Sequence, residues 1–167
     1  MTPAIHPSYS GIALRPSVAD DRPLLLAIYA SARADELAML PWSAAQREAF
    51  VAMQFAAQQR AYREAMPDAA FAIVELHGAP IGRLDVHVDA LRWSLVDITL
   101  LPEHRGAGIG AALIRDLQRC AQRDALPLRL HVEQHNRALG LYRRLGFRPI
   151  ETAGIYLAME WTAEEPQ

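Results

Sequence analysis

The sequence predicts an α/β (α+β) fold in which a mixed sheet of about seven strands packs against about four helices. Two observations predict it: the order of strand-like and helix-like segments, and a glycine-rich turn between one strand and the next helix. Apolar residues make up 51% of the 167 residues and charged residues 22%, which is typical of a globular protein. We therefore expect one domain over residues 1–167, with its core at about 10–161 and frayed termini.

The first half of the chain predicts one strand followed by two helices. Residues Gly11–Arg15 are strand-like. Ser17 is expected to cap a helix whose apolar residues recur at helical spacing and which frays near Arg33. Ser43 begins a second capping box, from which a longer helix is expected to reach about Glu64.

The second half of the chain predicts a meander of strands and then alternating helices and strands. Turn residues at His77 and Gly78 separate two apolar runs, which is the signal of a hairpin. The expected strands of the meander are Ala70–Leu76, Pro80–Val88 and Arg92–Leu101. The expected elements after it are a helix over Ala111–Arg123, a strand over Leu128–Glu133, a helix that carries Tyr142, and strands near Arg148–Ile150 and Ile155–Trp161.

The glycine-rich turn Arg105–Gly110 joins the last strand of the meander to a helix. Glycines leave no Cβ between the backbone and an approaching group. The free N–H groups of a helix's first turn, together with the helix dipole, attract phosphate. The turn therefore predicts a pyrophosphate site, whereas the alternative is a helix start that only needs a flexible backbone.

The spacing of this turn excludes two common phosphate-binding motifs. A nucleoside triphosphate loop ends in Gly-Lys-Ser/Thr, but Gly110 precedes two alanines. A dinucleotide fingerprint needs its third glycine one residue later. Arg105, Gly108 and Gly110 instead match Arg/Gln-x-x-Gly-x-Gly/Ala, and in this the sequence resembles the acetyl-CoA-binding motif of the GNAT superfamily of N-acetyltransferases. The resemblance continues downstream through a strand, Asn136, a helix with Tyr142, and a Gly-Phe turn.

The resemblance implies the GNAT fold, with acetyl-CoA as cosubstrate and no metal. In that fold the fourth and fifth strands splay apart, and the pantetheine arm of the cofactor lies between them. The backbone of Leu100 and Leu101 would pair with the pantetheine amides and would polarise the thioester oxygen. Asn136 would hydrogen-bond the pantetheine, or it caps its own helix instead. The residues implied to contact the cofactor are Leu100, Leu101, Arg105, Gly106, Ala107, Gly108, Ile109, Gly110 and Asn136.

The same resemblance implies Tyr142 as the general acid, because an ordinary phenol stays protonated at neutral pH. The general base is less defined. Relatives place a Glu on the fourth strand at the position of Ser94, which is no base. We take Glu36, between the first two helices, as the candidate. The alternatives are water and the side chains of Asp97, Glu133 and His131. Regular alternation would turn Asp97 to the face opposite Ser94.

The predicted function is transfer of an acetyl group from acetyl-CoA to a primary amine, by direct attack in a ternary complex. The acceptor would be a small molecule or a peptide, and a homodimer is compatible with the fold. The alternative is a non-catalytic acyl-CoA-binding or sensor domain. A net charge of −2 without a basic run argues against nucleic acid. The single Cys120 and the lack of a membrane-length apolar run favour the cytoplasm.

Overall fold

The computed structural model describes residues 3–163 and confirms the predicted mixed sheet with four helices. The strands are β1 (Ile12–Pro16), β2 (Ala70–Leu76), β3 (Ala79–Val88), β4 (Trp93–Leu100), β5 (Leu128–Glu133), β6 (Arg148–Ala153) and β7 (Tyr156–Trp161). The helices are α1 (Arg22–Ala38), α2 (Ala44–Ala65), α3 (Ile109–Arg123) and α4 (Leu139–Arg144). The predicted fraying concerns the two ends of the chain, residues 1–2 and 164–167, which lie outside the described residues.

The seven strands form one sheet in the order β1-β2-β3-β4-β5-β7-β6. All neighbouring strands are antiparallel except β4 and β5, which are parallel. A parallel pair needs a crossover connection, and α3 supplies it. The connection leaves the end of β4 through a short loop, so α3 begins beside that end of the strand. Within residues 3–163, no helix is long and apolar enough to cross a membrane.

Two apolar cores lie on opposite faces of this sheet. One core joins α3 and α4 to the strands, with Leu113, Leu117 and Trp93 fully buried. The other core holds α1 and α2 against the sheet through Tyr29 and Phe55, among others. Full burial of one such side chain contributes about 1.5–3 kcal/mol relative to exposure. Apolar packing against the sheet therefore holds the helices in place. The loops between helices and strands are positioned by the elements that they connect.

The structure corrects several predicted boundaries. Ser17 does not cap the first helix: a short 3-10 turn follows Val18, and α1 begins only at Arg22. The helix also continues past Arg33, since Leu37 near its end packs into the core beneath α2. The capping box at Ser43 is confirmed. The strand predicted near Arg148–Ile150 continues as β6, which pairs with β7 along the sheet edge.

One ion-pair cluster ties β1 to the start of α1. The Asp21 carboxylate accepts hydrogen bonds from both terminal nitrogens of Arg15 and from the Val18 N–H, each at 2.8 Å. The hydrogen bonds from Arg15, and after them the one from Val18, lower the pKa of Asp21 from 3.8 to about 2. A carboxylate with a lowered folded-state pKa stabilises the fold above its unfolded pKa, and this contribution is lost as the pH falls.

We expect Asp21→Asn to destabilise the protein at pH 6, with a difference from the wild type that shrinks between about pH 4 and pH 2. The measurement is the urea midpoint at half-unit pH steps. Asp20→Asn is the matched control, because Asp20 is exposed and its removal should leave the profile unchanged. A difference that stays constant down to pH 2 would contradict the assignment.

Candidate active site

A gap opens between β4 and β5 at the centre of the sheet. The two strands pair at only three positions, the last of which joins Leu95 to Leu130. Beyond that point β4 continues to Leu100 and β5 to Glu133 without pairing with each other. The two facing backbone edges are therefore left without a strand partner, and an extended ligand with amide groups fits between them.

The backbone of Leu100, but not the N–H of Leu101, faces this gap. The Leu101 N–H donates to the Ile81 carbonyl at 2.8 Å, so it belongs to the β3–β4 ladder. Hydrogen-bonded and non-bonded positions alternate in an antiparallel ladder, which turns the N–H groups of Leu100 and Ile98 away from β3. The expectation that Leu101 offers its N–H to a ligand is wrong, because that N–H is already bound. The second N–H of β4 that faces the gap is that of Ile98.

The glycine turn forms an open loop at the end of β4. Gly106 and Gly108 have φ angles of +78° and +84°, which L side chains rarely adopt. A Cβ placed on either of them, or on Gly110, would meet no protein atom within 4 Å. The protein itself therefore does not fill the space beside these glycines, which suits a loop that a ligand approaches closely.

Helix α3 begins two residues earlier than predicted, directly at this loop. Its first intrahelical bond runs from the Ala112 N–H to the Gly108 carbonyl at 3.0 Å. The N–H groups of Ile109, Gly110 and Ala111 therefore have no carbonyl one turn before them in the helix. Ile109 is buried and anchors the start of the helix in the core. The free N–H set includes Ala111, which the sequence predicted as the first residue of the helix but not as a cofactor contact.

Two side chains hold the loop in place. Arg105 donates from Nε to the Leu100 carbonyl at 2.8 Å and from Nη2 to the Ser31 hydroxyl at 3.4 Å. The Tyr9 hydroxyl donates to the Ala107 carbonyl at 3.3 Å. Arg105 thus ties the loop to β4 and α1 while it keeps a positive charge beside the glycines. No local sequence pattern predicts the contacts of Tyr9 and Ser31 with the loop, because both residues are distant from it in sequence.

The Asn136 side chain is used locally. Its Oδ1 accepts a hydrogen bond from the Ala138 N–H at 2.8 Å, immediately before α4. Its backbone N–H donates to the Glu133 carbonyl at 2.9 Å, which closes the turn after β5. The expectation that Asn136 is the N-cap of its helix is wrong, because Ala138 takes that position and the Asn136 side chain closes an Asx turn just before it.

Tyr142 lies on α4 with its ring buried. The ring packs edge-to-face on Phe147, with 5.9 Å between the centroids. Burial, and to a lesser extent the negative charge of Asp97, raises the pKa of Tyr142 to about 12. The phenol therefore remains a proton donor at every physiological pH.

A β-bulge at Val96 sets the direction of the side chain that follows it. Leu95 lies opposite Val86 and Asp97 lies opposite Asp85, so that Val96 is the extra residue of β4. His87, the partner of Ser94, and Asp85 are two residues apart on β3 and share a face. Asp97 therefore shares the face of Ser94, and the expectation that alternation separates the two is wrong.

Asp97 occupies the face of the sheet that α1 and α2 cover, beside the gap. Its Oδ1 accepts from the Thr99 hydroxyl at 2.7 Å, and its Oδ2 lies 3.8 Å from Nε of Arg83. The side chain is 15% exposed. Burial, followed by the charge of Asp97, raises the pKa of Tyr62 on α2 to about 12. The negative charge of Asp97 thus acts on two buried phenols, those of Tyr62 from α2 and Tyr142 from α4.

Comparison with known sequences identifies the family. A family model described as "Acetyltransferase (GNAT) domain" matches residues 67–149, which include β3, β4, the glycine loop, α3 and α4. The chain carries a GNAT acetyltransferase domain. A curated relative from Bacillus subtilis (strain 168), provisionally named a [ribosomal protein bS18]-alanine N-acetyltransferase, is 31% identical over 85 residues. That alignment covers 50% of this chain and 56% of the relative, so the chain matches about half of the relative's length.

Solved structures show the same fold. The PaiA N-acetyltransferase of Thermoplasma acidophilum, in complex with coenzyme A, is 19% identical, with a TM-score of 0.68 over 91% of this chain and 99% of the other. An acetyltransferase of Thermus thermophilus is 21% identical, with a TM-score of 0.66 over 91% and 97%. The ribosomal-protein-S18-alanine N-acetyltransferase of Escherichia coli is 20% identical, with a TM-score of 0.62 over 93% and 96%.

The remaining candidate bases of the GNAT domain lie in more exposed surroundings. Glu36 is 66% exposed and forms a 3.8 Å ion pair with Arg33 on the same helix. Asp35 beside it lies 3.5 Å from Arg137, a contact between two exposed side chains. His131 is exposed and lies opposite Ala158 of β7. The half-buried Glu133 lies opposite Tyr156 of the same strand. Asp97 is the candidate that combines burial, a fixed carboxylate and a position beside the gap.

Proposed function

We propose that the chain is an acetyl-CoA-dependent N-acetyltransferase. The observation that carries the proposal is that the gap beside Leu100 leads directly to the open glycine loop. The first feature suits a ligand arm with amide groups, and the second suits a pyrophosphate. Coenzyme A has both groups in one molecule, and a neighbour of this fold was solved in complex with it.

In the proposed complex the pyrophosphate accepts hydrogen bonds from the free N–H groups at the start of α3. Those groups belong to Gly110, to Ile109 before it and to Ala111 after it. Gly106 and Ala107 shape the approach, and Arg105 adds positive charge. Along the free edge of β4, the Leu100 N–H binds a pantetheine amide, and the thioester end of the arm reaches Ile98. Asn136 lies at the other side of the gap, where its amide nitrogen is oriented by the bond that its oxygen accepts from the Ala138 N–H.

Acetyl transfer then needs one base, one acid and one polarising donor. The amine nitrogen attacks the thioester carbonyl, and the Ile98 N–H, which lies farther from the glycine loop than that of Leu100, stabilises the charge that develops on the carbonyl oxygen. Asp97 takes the proton that the amine loses, and the CoA sulfur leaves with the proton of the Tyr142 hydroxyl. Direct attack agrees with the state of Cys120, because burial raises the pKa of its thiol and disfavours the thiolate that a covalent carrier needs.

We propose a primary amine as acceptor, supplied by a small molecule or by the N-terminus of a peptide. The sheet face beside α1 carries Asp97, and Asp35 and Glu36 lie near the end of that helix, which favours a cationic amine. Two similar proteins are named as alanine N-acetyltransferases of a ribosomal protein, which makes a peptide that begins with alanine the first acceptor to test. A single domain over residues 1–167, cytoplasmic location and a homodimer stay predictions.

The experiment that tests this function is calorimetric titration with acetyl-CoA, with adenosine diphosphate and NAD as comparators. It is followed by thiol-release assays over a panel of amines and alanine-initiated peptides. Selective binding with turnover supports the proposal. Binding without turnover on any acceptor would identify an acyl-CoA sensor instead, and a folded protein that binds none of the three ligands would overturn the cofactor assignment.

We expect Gly110→Val to weaken acetyl-CoA binding at least tenfold while the protein stays folded. Gly110 is helical without a positive φ, and a Cβ added to it meets no protein atom within 4 Å, so the fold tolerates the side chain. The branched side chain is larger than the alanine that the motif accepts at this position, and it enters the space proposed for the pyrophosphate. Gly140→Val on α4 is the matched control, with little change in affinity. Unchanged affinity in Gly110→Val would remove the loop from the cofactor site.

We expect Tyr142→Phe to slow turnover by about 10²–10⁴-fold with unchanged acetyl-CoA affinity, since it removes a general acid and keeps the ring. Steady-state kinetics at saturating cofactor measure the effect. Tyr62→Phe is the matched control, because Tyr62 is another phenol beside Asp97 whose pKa is raised to about 12. Equal losses in both variants would speak against a specific acid role for Tyr142.

We expect Asp97→Asn to lower kcat/KM by about 10²–10⁴-fold, because the amide has a similar shape but accepts no proton. Glu36→Gln, measured beside it, should stay close to the wild type, since Glu36 is exposed on α1. The reverse pattern, with a loss in Glu36→Gln and none in Asp97→Asn, would assign the base to Glu36.

A further inference from the structure

A fully buried arginine lies beneath α2, next to the proposed base. Arg83 is near the middle of β3, and its side chain is 2% exposed. A buried charge is costly unless it is paired and hydrogen-bonded. The partners of this guanidinium therefore indicate what holds it in the protein.

Two of those partners fix the far end of the guanidinium. Nη2 donates to the Asp85 carboxylate, which is itself 1% exposed. With the Gln59 amide turned so that its oxygen faces β3, that oxygen accepts from Nη1 at 3.0 Å and from Nη2 at 3.2 Å. Asp85 comes from the same strand and Gln59 from the helix above it. The terminal nitrogens are thus anchored from two directions.

The third nitrogen of the Arg83 guanidinium, Nε, lies near the Asp97 carboxylate. Nε of Arg83 is buried and has no hydrogen-bond partner within residues 3–163. Oδ2 of Asp97 lies 3.8 Å from it, within ion-pair distance. The register places Arg83 opposite Thr99, and Asp85 opposite Asp97. Because Thr99 already binds Oδ1 of Asp97 at 2.7 Å, the two oxygens of this carboxylate face two different partners.

We propose that Arg83 is a positioning residue for acetyl transfer: anchored by Asp85 and Gln59, it orients the Asp97 carboxylate and favours its charged form. This inference rests on the proposed function, in which Asp97 is the base. A base must be ionised and aimed before the amine arrives. The buried charge of Arg83 favours ionisation of Asp97 and orients its carboxylate, and it does so without contacting the substrate.

The charge balance of the cluster agrees with this role. Burial raises the pKa of Asp85 to about 7; the charge of Arg83 opposes this shift and that of Asp97 adds to it. When Asp85 is protonated, the positive charge of Arg83 is opposed by Asp97 alone. The charge of Asp97 also acts on three phenols, those of Tyr62 from α2, Tyr29 from α1 and Tyr142 from α4, and Tyr156 of β7 acts on Tyr62. Beside Tyr29, α1 carries two charged side chains, Arg33 and Glu36. Of these, only Arg33 carries a positive charge, and it pairs with Glu36.

The test is the pH dependence of kcat/KM for an alanine-initiated peptide, or for the best amine of the panel, in Arg83→Gln and Asp85→Asn. Both variants break the same buried pair, but only Arg83→Gln removes the positive charge beside Asp97. We expect the acid limb of the pH profile of Arg83→Gln to move up by at least one pH unit. The reason is that a nearby positive charge lowers the pKa of a carboxyl group by about 1–3, and the substitution removes that charge. Asp85→Asn should show no upward move, and Arg83→Lys should bring the limb back toward the wild type.

Arg15→Gln is the matched control, because Arg15 also lies between two carboxylates, Asp21 and Glu75, but on β1. Its acid limb should coincide with that of the wild type. An unmoved limb in Arg83→Gln, or the same upward move in Asp85→Asn, would overturn the role of Arg83 while acetyl transfer stands. Absence of turnover in the wild type with every amine would overturn the proposed function itself.

A second readout needs no turnover. Carboxyl ¹³C NMR follows the titration of Asp85, which is expected near pH 7 in the wild type. In Asp97→Asn its midpoint should fall, because a neighbouring negative charge is gone, and in Arg83→Gln it should rise. An Asp85 midpoint that Asp97→Asn leaves unmoved would show that the groups are not coupled, and it would overturn the proposal even if Arg83→Gln failed to fold.

Discussion

One extra residue in β4 governs the geometry of the whole site. The bulge at Val96 follows Leu95 immediately, and Leu95 is also the last residue of β4 that pairs with β5. A bulge bends its strand and increases the local twist. This local distortion accounts for the parting of two parallel neighbours that would otherwise continue side by side. It also turns Asp97 to the face on which α1 and α2 lie, so one irregularity accounts for both the gap and the position of the proposed base.

Much of the fold could be predicted from the sequence because its signals are local. The hairpin at His77, the capping box at Ser43 and the glycine turn each follow from a few adjacent residues, and each lies where it was expected. The same holds for the order of strands and helices. The positions of Leu100 and Tyr142 also followed from motif spacing, because β4 and α4 are regular where those residues lie.

The parts that could not be predicted depend on tertiary contacts. Regular alternation gave the wrong face for Asp97, since nothing in the sequence around Val96 marks a bulge. The Leu101 N–H is taken by Ile81, a residue twenty positions earlier, and only the register of β3 on β4 reveals it. Tyr9 and Arg83 carry no motif at all, and each matters through partners that are distant in sequence. Predictions from the sequence therefore fail where one strand's register decides what a neighbour can do.

The free edge of β4 also fixes the register of an extended ligand that pairs with it. Its ladder positions recur at every second residue, so an arm that pairs with Ile98 and Leu100 has its register fixed to within one step. The first-turn N–H groups of α3 lie a fixed span of backbone beyond that position, and Arg105, within this span, is bound to Leu100 of β4 and to Ser31 of α1. A carrier whose amide and diphosphate are too close together or too far apart engages one end and misses the other. In the proposed complex, selection among acyl carriers would therefore depend on the length of the arm between the amide and the diphosphate.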